Sequence, residues 1–265
     1  MLCSPIAVLS LLVPAALAAD LPSFEAASVK HSDPNSRSGL NVCTGGPGTS
    51  DPGMLHCVNS SLSLFILEAY DVKWYQLVAP DWVIRGGSQS GYDVTAKIPP
   101  GTSKSDYRLM LQHLLADRFH LVVHREAREL PVYSLVSDPG KPKIVASSSA
   151  APPGPRCALS MVKNHFHLVC HNTPLKDLAG NLETQFWSTV TDATGLSGEF
   201  DFTLDFIPAT EWQDRVGWSP SSAIADDTPT LDAAISKQLG LKLKKGKGPV
   251  QVVVVDTAEK NPTGN

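Results

Sequence analysis

Apolar and polar residues alternate with period two in two places along the chain. From Gly91 to Ile98 the apolar side carries Tyr92, Val94, Ala96 and Ile98. From Gly198 to Phe206 it carries Phe200, Phe202, Leu204 and Phe206. This pattern predicts strands with one buried and one wet face. Elsewhere the apolar positions recur at helical spacing. Ser103, with Asp106 three residues on, caps a predicted helix whose stripe is Tyr107, Met110, Leu111, Leu114, Leu115 and Phe119. Thr228-Pro229 opens another, with Leu231, Ala234, Ile235 and Leu239 on its stripe and Gly240 at its end. One shorter helix is expected earlier in each half. One is capped by Ser60 or Ser61 and ends near Tyr70. The other has Thr173 as N-cap and Pro174 in its first turn, followed by Leu175, Leu178, Ala179 and Leu182.

Each half then closes, on this reading, with a hairpin. His120–His124 turns through Glu126–Glu129 into Pro131–Val136, and Leu241–Lys244 turns through Lys245–Gly248 into Pro249–Asp256. The valine run 252–255 predicts a strand covered on both faces. The two halves therefore read alike: hairpin, helix, strand, helix, hairpin. The expected fold class is α+β, with two similar subdomains, each a small mainly antiparallel sheet packed with two helices. The expected boundaries are a signal peptide over 1–19, a first subdomain over 20–140, a Ser/Ala/Pro/Gly linker over 141–156, a second subdomain over 157–260 and a tail over 261–265. Pro208–Asp227, with Trp212 and Trp218 in polar surroundings, reads as a long surface insertion.

Composition narrows the setting. The chain has 265 residues with 22 Lys+Arg and 26 Asp+Glu, a formal charge of −4, and 42% apolar residues. That is a foldable composition without the basic stripe of a nucleic-acid binder. Met1–Ala19 carries no charge, is mostly apolar, and ends on Ala16-Leu17-Ala18, a small-x-small pattern suited to signal peptidase. The start lacks the usual basic residues, and an uncleaved N-terminal anchor is the alternative reading. No later segment approaches a membrane span. Of five cysteines, Cys3 lies in the signal, leaving Cys43, Cys57, Cys157 and Cys170. An even number in an exported chain predicts disulfides, with three possible connectivities. Cys43/Cys57 and Cys157/Cys170 flank stretches of nearly equal length, so the spacing favours two stapled hairpins, each worth ~3 kcal/mol by loop closure. No C-x-x-C pair is present to suggest zinc. The expected location is periplasmic or extracellular.

Several longer motifs carry a family resemblance. They are Phe24-Glu25-Ala26-Ala27-Ser28-Val29-Lys30, Ala69-Tyr70, Pro80-Asp81-Trp82, Tyr92-Asp93-Val94-Thr95-Ala96-Lys97, and the long run Met110–Leu121 continuing through His124-Arg125-Glu126 to Leu130-Pro131-Val132-Tyr133. The second half adds Asp192-Ala193-Thr194-Gly195-Leu196-Ser197-Gly198 and Gln238-Leu239-Gly240-Leu241. Across nearly the whole mature chain these resemble an uncharacterised secreted family abundant in Acidobacteria and first noticed in a soil-dwelling member. The resemblance implies an exported protein with no established activity. Some members of that family carry the domain beside a membrane metallopeptidase similar to the antibiotic-sensing BlaR type, which suggests a sensing role by analogy. The helix-plus-hairpin units also faintly resemble the short N-terminal modules of secretins and TonB-dependent receptors.

Chemistry-bearing residues are few. Ser160-Met161-Val162-Lys163 matches S-x-x-K, but it lies between two cysteines in an expected hairpin, whereas the acylating serine of such enzymes starts a helix. His165, His167 and His171 cluster near Cys170, and His56 precedes Cys57. His165 and His167 share one strand face, yet no carboxylate stands at helpful sequence spacing and HExxH is absent, so an exposed polar hairpin is expected. Asp117-Arg118 and His124-Arg125-Glu126 could mark a charged site, set against a structural reading in which Arg118 pairs locally or caps its helix and His120 and His124 alternate with Leu121 and Val123 on a strand. Glu199, Asp201 and Asp205 read as a solvated acidic face. No phosphate loop and no GxSxG occurs. Trp74, Tyr75 and Trp82 form a possible binding surface, set against plain packing at the end of a short helix. No catalytic residue, metal site or cofactor is expected. The preferred reading is a non-catalytic binding or interaction module of the cell envelope. Its partner would be a protein or peptide, taken up for instance as a strand at a sheet edge. The alternatives are a sensory or regulatory domain working with a membrane metallopeptidase or receptor, and a hydrolase.

Overall fold

The computed structural model of the protein describes residues 22–33, 42–84, 91–137, 142–148, 155–162, 165–217 and 228–264. In chain order the elements are β1 (Ala26–His31), β2 (Val42–Gly45), β3 (Met54–Ser60), α1 (Leu62–Tyr70), a 3-10 turn (Trp74–Gln76), β4 (Leu77–Val78), α2 (Asp81–Ile84), β5 (Tyr92–Lys97), α3 (Lys104–Phe119) and β6 (Val122–Ser137). There follow β7 (Val145–Ala146), β8 (Cys157–Val162), β9 (His165–Thr173), α4 (Leu175–Phe186), β10 (Thr189–Asp192), β11 (Phe200–Phe206), α5 (Thr210–Val216), α6 (Leu231–Ala234) running into a π turn (Ile235–Leu239), and β12 (Leu241–Thr257). The fold is α+β. The described residues fall into two compact units. One lies within Met1–Asp71, Asp81–Leu121 and Ala258–Asn265, the other within Val72–Pro80 and Val122–Thr257.

The first unit holds an antiparallel sheet ordered β1-β5-β3-β2, and the second holds one ordered β7-β11-β9-β8. Counted along the chain, the two orders are the same. Each sheet buries the alternating face foreseen in the sequence: Tyr92, Val94 and Ala96 are 1% exposed, and Leu204 is fully buried. In the first unit α1 and α3 carry the buried Phe65, Ile66, Leu111, Leu115 and Phe119, and the Tyr92 and Phe119 rings meet edge-on at 4.8 Å. In the second, Leu178, Leu182, Leu231 and Ile235 cluster with Phe200, Phe202 and Leu204 in one core. The helix caps follow local chemistry. Ser61 accepts the Leu64 N–H, Ser103 accepts the Asp106 N–H, and Gly240 closes the π turn at φ 66°.

Three local expectations are corrected. The two terminal hairpins do not form. β6 and β12 are unbroken strands of 16 and 17 residues that pair with each other, antiparallel, from Val122↔Thr257 to Ser137↔Leu241. The supposed turn segments stay extended, with Gly246 opposite Val132 and Gly248 opposite Leu130. A tight hairpin needs residues at positive φ, and neither glycine adopts it. β10 and β4 then flank the ribbon in parallel, in the order β10-β6-β12-β4. Second, helix α4 starts one residue later than expected. Thr173 belongs to β9, where its hydroxyl donates to the His171 carbonyl (3.0 Å), and Pro174 is the N-cap. Likewise Thr230, not Thr228, caps α6, because the Pro229 carbonyl is taken by the Ile207 N–H (2.9 Å) and Ile207 bridges Thr230. Third, the expected surface insertion contains α5, which seats Trp212 edge-on against Phe166 at 5.5 Å. Trp218 and residues 218–227 lie outside the described residues, as do 1–21 with the expected signal peptide.

Candidate functional site

Both cysteine pairs are disulfides. Cys43 faces Cys57 across β2–β3 and Cys157 faces Cys170 across β8–β9, with Cα–Cα distances of 4.0 and 4.1 Å. Two residues beyond each second cysteine stands an asparagine at φ 49°, Asn59 or Asn172, a conformation that asparagine tolerates better than most residues. Each kink is held by an aspartate of the neighbouring strand: Asp93 accepts the Asn59 N–H (3.0 Å) and Asp201 accepts the Asn172 N–H (2.7 Å). Partial burial pushes the Asp93 carboxyl up, but the Ser32 hydroxyl, the Asn59 N–H and the charges of Lys30 and His56 together hold it below its ordinary value. The Asn172 N–H is the main cause holding Asp201 below its own, with Ser147 and His171 adding to it against some desolvation. The kinks turn the chain from β3 into α1 and from β9 into α4.

Beside the second disulfide, the sheet ends in β8, whose outer side no described strand covers. β8 reads Cys-Ala-Leu-Ser-Met-Val, without a charge or a proline. Leu159, Met161 and Val162 are 51, 56 and 42% exposed. Leu159 pairs with Leu168 and Met161 with Phe166, so both lie on the face that the core occupies further in. The short Cα–Cα distance at Cys157↔Cys170 marks a non-hydrogen-bonded pair. Counting on from it, the ladder bonds to β9 fall at Ala158, Ser160 and Val162. The N–H and C=O groups of Cys157, Leu159 and Met161 are therefore directed away from β9, where no described strand pairs with them. A cavity of about 200 Å³ opens beneath, lined by Cys157, Leu159, Leu168, Leu178, Leu204 and Phe206, with Asn181, Thr184 and Gln185 as its polar rim. The first unit has a counterpart of about 280 Å³ beside Cys43–Cys57, lined by Leu55, Leu64, Phe65, Tyr107 and Leu111, with Glu68 and Lys104. Burial, and then the Glu68 charge, pushes the Tyr107 phenol up to about 12.

The contrast with β12 is informative. Along its open side only Val253 and Val254 pair with β4 among the described residues, so the stretch 241–249 is also an edge. That stretch carries Lys242, Lys244, Lys245, Lys247 and Pro249, the charged and proline-bearing composition that blocks strand addition. β8 has none of it.

The other residues singled out in the sequence are dispersed. Trp74 and Tyr75 sit in the 3-10 turn of the second unit, half-buried. There Trp74 meets Trp187 at 6.1 Å, and Lys73 forms an ion pair with the buried Glu183. Burial pushes the Tyr75 phenol up, against a hydrogen bond with Thr189. Trp82 belongs to α2 in the first unit, so the three aromatics do not share one unit. His124 bonds Asp256 at 2.9 Å, which raises its pKa, and Arg118 reaches Asp117 (3.4 Å) and the Gly264 carbonyl (2.6 Å). The acidic face is paired: Glu199 with Arg156 (2.5 Å), Asp201 with the Asn172 backbone, and Asp205 with His167.

Asp205 is the carboxylate that sequence spacing did not reveal. Register sets it opposite His167, with Asp205 Oδ1 at 2.6 Å from His167 Nδ1 and 3.5 Å from His165 Nε2. Ser160 stands on the other side of His167, opposite it in β8. The three groups form a row across the outer sheet face, but the Ser160 hydroxyl donates to the His167 carbonyl (3.4 Å) and not to the ring. A nucleophile activated by histidine needs that ring contact. Lys163 lies outside the described residues. Among the described residues no group of three or more His, Cys, Asp or Glu side chains is placed to hold a metal ion.

A family model described as a protein of unknown function (DUF3738) matches residues 63–258, about three-quarters of the chain. Comparison with curated proteins and with solved structures yields no match.

Proposed function

The chain belongs to this family, and from that premise and the geometry of its second unit we propose that it is a non-catalytic interaction module of the cell envelope that takes up a partner strand along the open edge of β8. The observation that carries this reading is the coincidence of three features on one six-residue strand. Its outward backbone groups belong to Cys157, Leu159 and Met161, two of these carry exposed apolar side chains, and no charge or proline guards the edge. An added strand would recover the backbone hydrogen bonds and cover the apolar side chains, the two terms that drive recognition by strand addition. Export supports the setting. Met1–Ala19 has the composition of a signal peptide, the described residues hold two disulfides, and no described helix is long and apolar enough to cross a membrane. We further propose that the two units arose by duplication, since sheet order, disulfide position and the asparagine–aspartate kink recur in both.

Site-specific photo-crosslinking in the native envelope tests the reading. A photoreactive residue at Leu159 is expected to give discrete adducts that disappear on Met161→Pro, and the same residue at Lys244 on the guarded edge is expected to give none. Equal adducts at both positions, or none at Leu159, would overturn it.

A further inference from the structure

Resting on the strand-addition reading, we infer that the strand taken up on β8 is β8 of a second copy of this chain. The outward-directed backbone groups belong to residues 157, 159 and 161, evenly spaced about Leu159. A two-fold axis through Leu159 sets Cys157 opposite Met161 of the partner, Leu159 opposite its own copy, and Met161 opposite Cys157. Every outward N–H and C=O then finds a partner in the regular antiparallel pattern.

Side chains obey the same symmetry. Leu159 and Met161 lie on one face, so the axis brings two leucines together and flanks them with two methionines, all beside the apolar cavity that Leu159 helps to line. Charge supports a self-match over a foreign strand. β8 contains no ionisable side chain, and Arg156 at its start is already neutralised by Glu199 at 2.5 Å. Within residues 157–162 two copies therefore meet without like charges, whereas a foreign strand selected by charge would find no charge on β8 to select it. The product is one continuous sheet of eight strands, with β8 as an inner strand.

Size sets the strength. A six-residue seam is about 20 Å long and one strand deep, less than the ~800 Å² per partner of a standard stable interface. The dimer is accordingly a reversible one.

Sedimentation of the full mature chain over a range of concentrations is the test, with Leu159→Lys, Met161→Pro and a labelled synthetic peptide of residues 156–162 carrying Cys157→Ser. The expected result is a monomer–dimer equilibrium in the wild type. Leu159→Lys, whose side chain is half-exposed and leaves the core intact, should weaken it ~100-fold by setting two ammonium groups face to face. Met161→Pro should abolish it, and the peptide should compete. A dimer that persists in Leu159→Lys uses another surface and overturns the inference. A monomeric wild type that binds the peptide, with binding lost in Met161→Pro, overturns the second copy as partner but keeps strand addition. A monomeric wild type that ignores the peptide overturns both.

Discussion

At the scale of single residues, the two units are held by a repeated device in which an aspartate carboxylate fixes the kinked backbone of an asparagine. Its energetics depend on pH in a defined sense. Asp93 and Asp201 both titrate below their ordinary value when folded, so their contribution is fully present above the unfolded carboxyl pKa and is lost as the pH falls through the lowered folded values. Asp93→Ala and Asp201→Ala should therefore lower the melting temperature at pH 7. The gap to the wild type should begin to narrow below about pH 4 and close once the pH has fallen through the lowered folded values, where protonation silences the wild-type carboxylates. Thermal unfolding followed by circular dichroism at pH 7 and pH 3 reads this directly, and a gap that persists unchanged at pH 3 would refute the assignment. The neighbouring row of Ser160, His167 and Asp205 shows what residues in register lack when their contacts do not follow. Ser160 is opposite the right partner, yet its hydroxyl is turned to a backbone carbonyl.

At the scale of elements, what the sequence reveals depends on whether an element's partners are local. The stripes of α1 and α3, the caps at Ser61 and Ser103 and the αL stop at Gly240 follow from residues a few positions apart, and all are present. The alternation at Tyr92–Lys97 and Phe200–Phe206 predicts the buried faces correctly for the same reason. The disulfides were legible because each closes a short loop between strands that pair directly. β6 and β12 are not legible locally, because a two-residue alternation is equally consistent with a strand that folds back and with one that runs on. The choice is made by a partner more than a hundred residues away, the Val122↔Thr257 end of the ladder. Asp205 escaped for the same reason, since its approach to His167 is fixed only by the β9–β11 register. Local chemistry does dictate the junction into β12. Gly240 is at φ 66° between the π turn and Leu241, which is fully buried. Gly240→Ala should cost about 1–2 kcal/mol, measurable as a lower urea midpoint at unchanged m-value, whereas a neutral effect would mean that the turn relaxes without loss.

At the scale of the molecule, the order of residues along the chain is not the order of the units. The chain leaves the first unit after Asp71 to supply the 3-10 turn and β4 to the second, returns at Asp81, crosses again at Val122, and comes back at Ala258. Those returning residues are tied down. The Glu259 N–H donates to the Phe119 carbonyl at 2.7 Å, the Thr263 N–H to the Arg118 carbonyl at 2.8 Å, and the Tyr92 hydroxyl to the Lys260 carbonyl at 2.8 Å. The second unit therefore takes β4 and β6 from before the Pro-rich stretch at 141–156 and β12 from after it. A cut in that stretch should separate neither unit cleanly. In a fragment of residues 20–140, β6 has lost β12 along its whole length. In a fragment of residues 141–265, β12 has lost both β6 and β4. Strand backbone without a partner exchanges its amide hydrogens freely. The amides of 122–137 and 241–257 should therefore be unprotected in the separate fragments and regain protection together when the fragments are mixed, because the ladder restores both sides at once. Hydrogen exchange read by mass spectrometry checks this. Protection of 122–137 in the isolated first fragment would mean that β6 finds a local partner, which is the hairpin that its sequence suggests and the long ladder replaces.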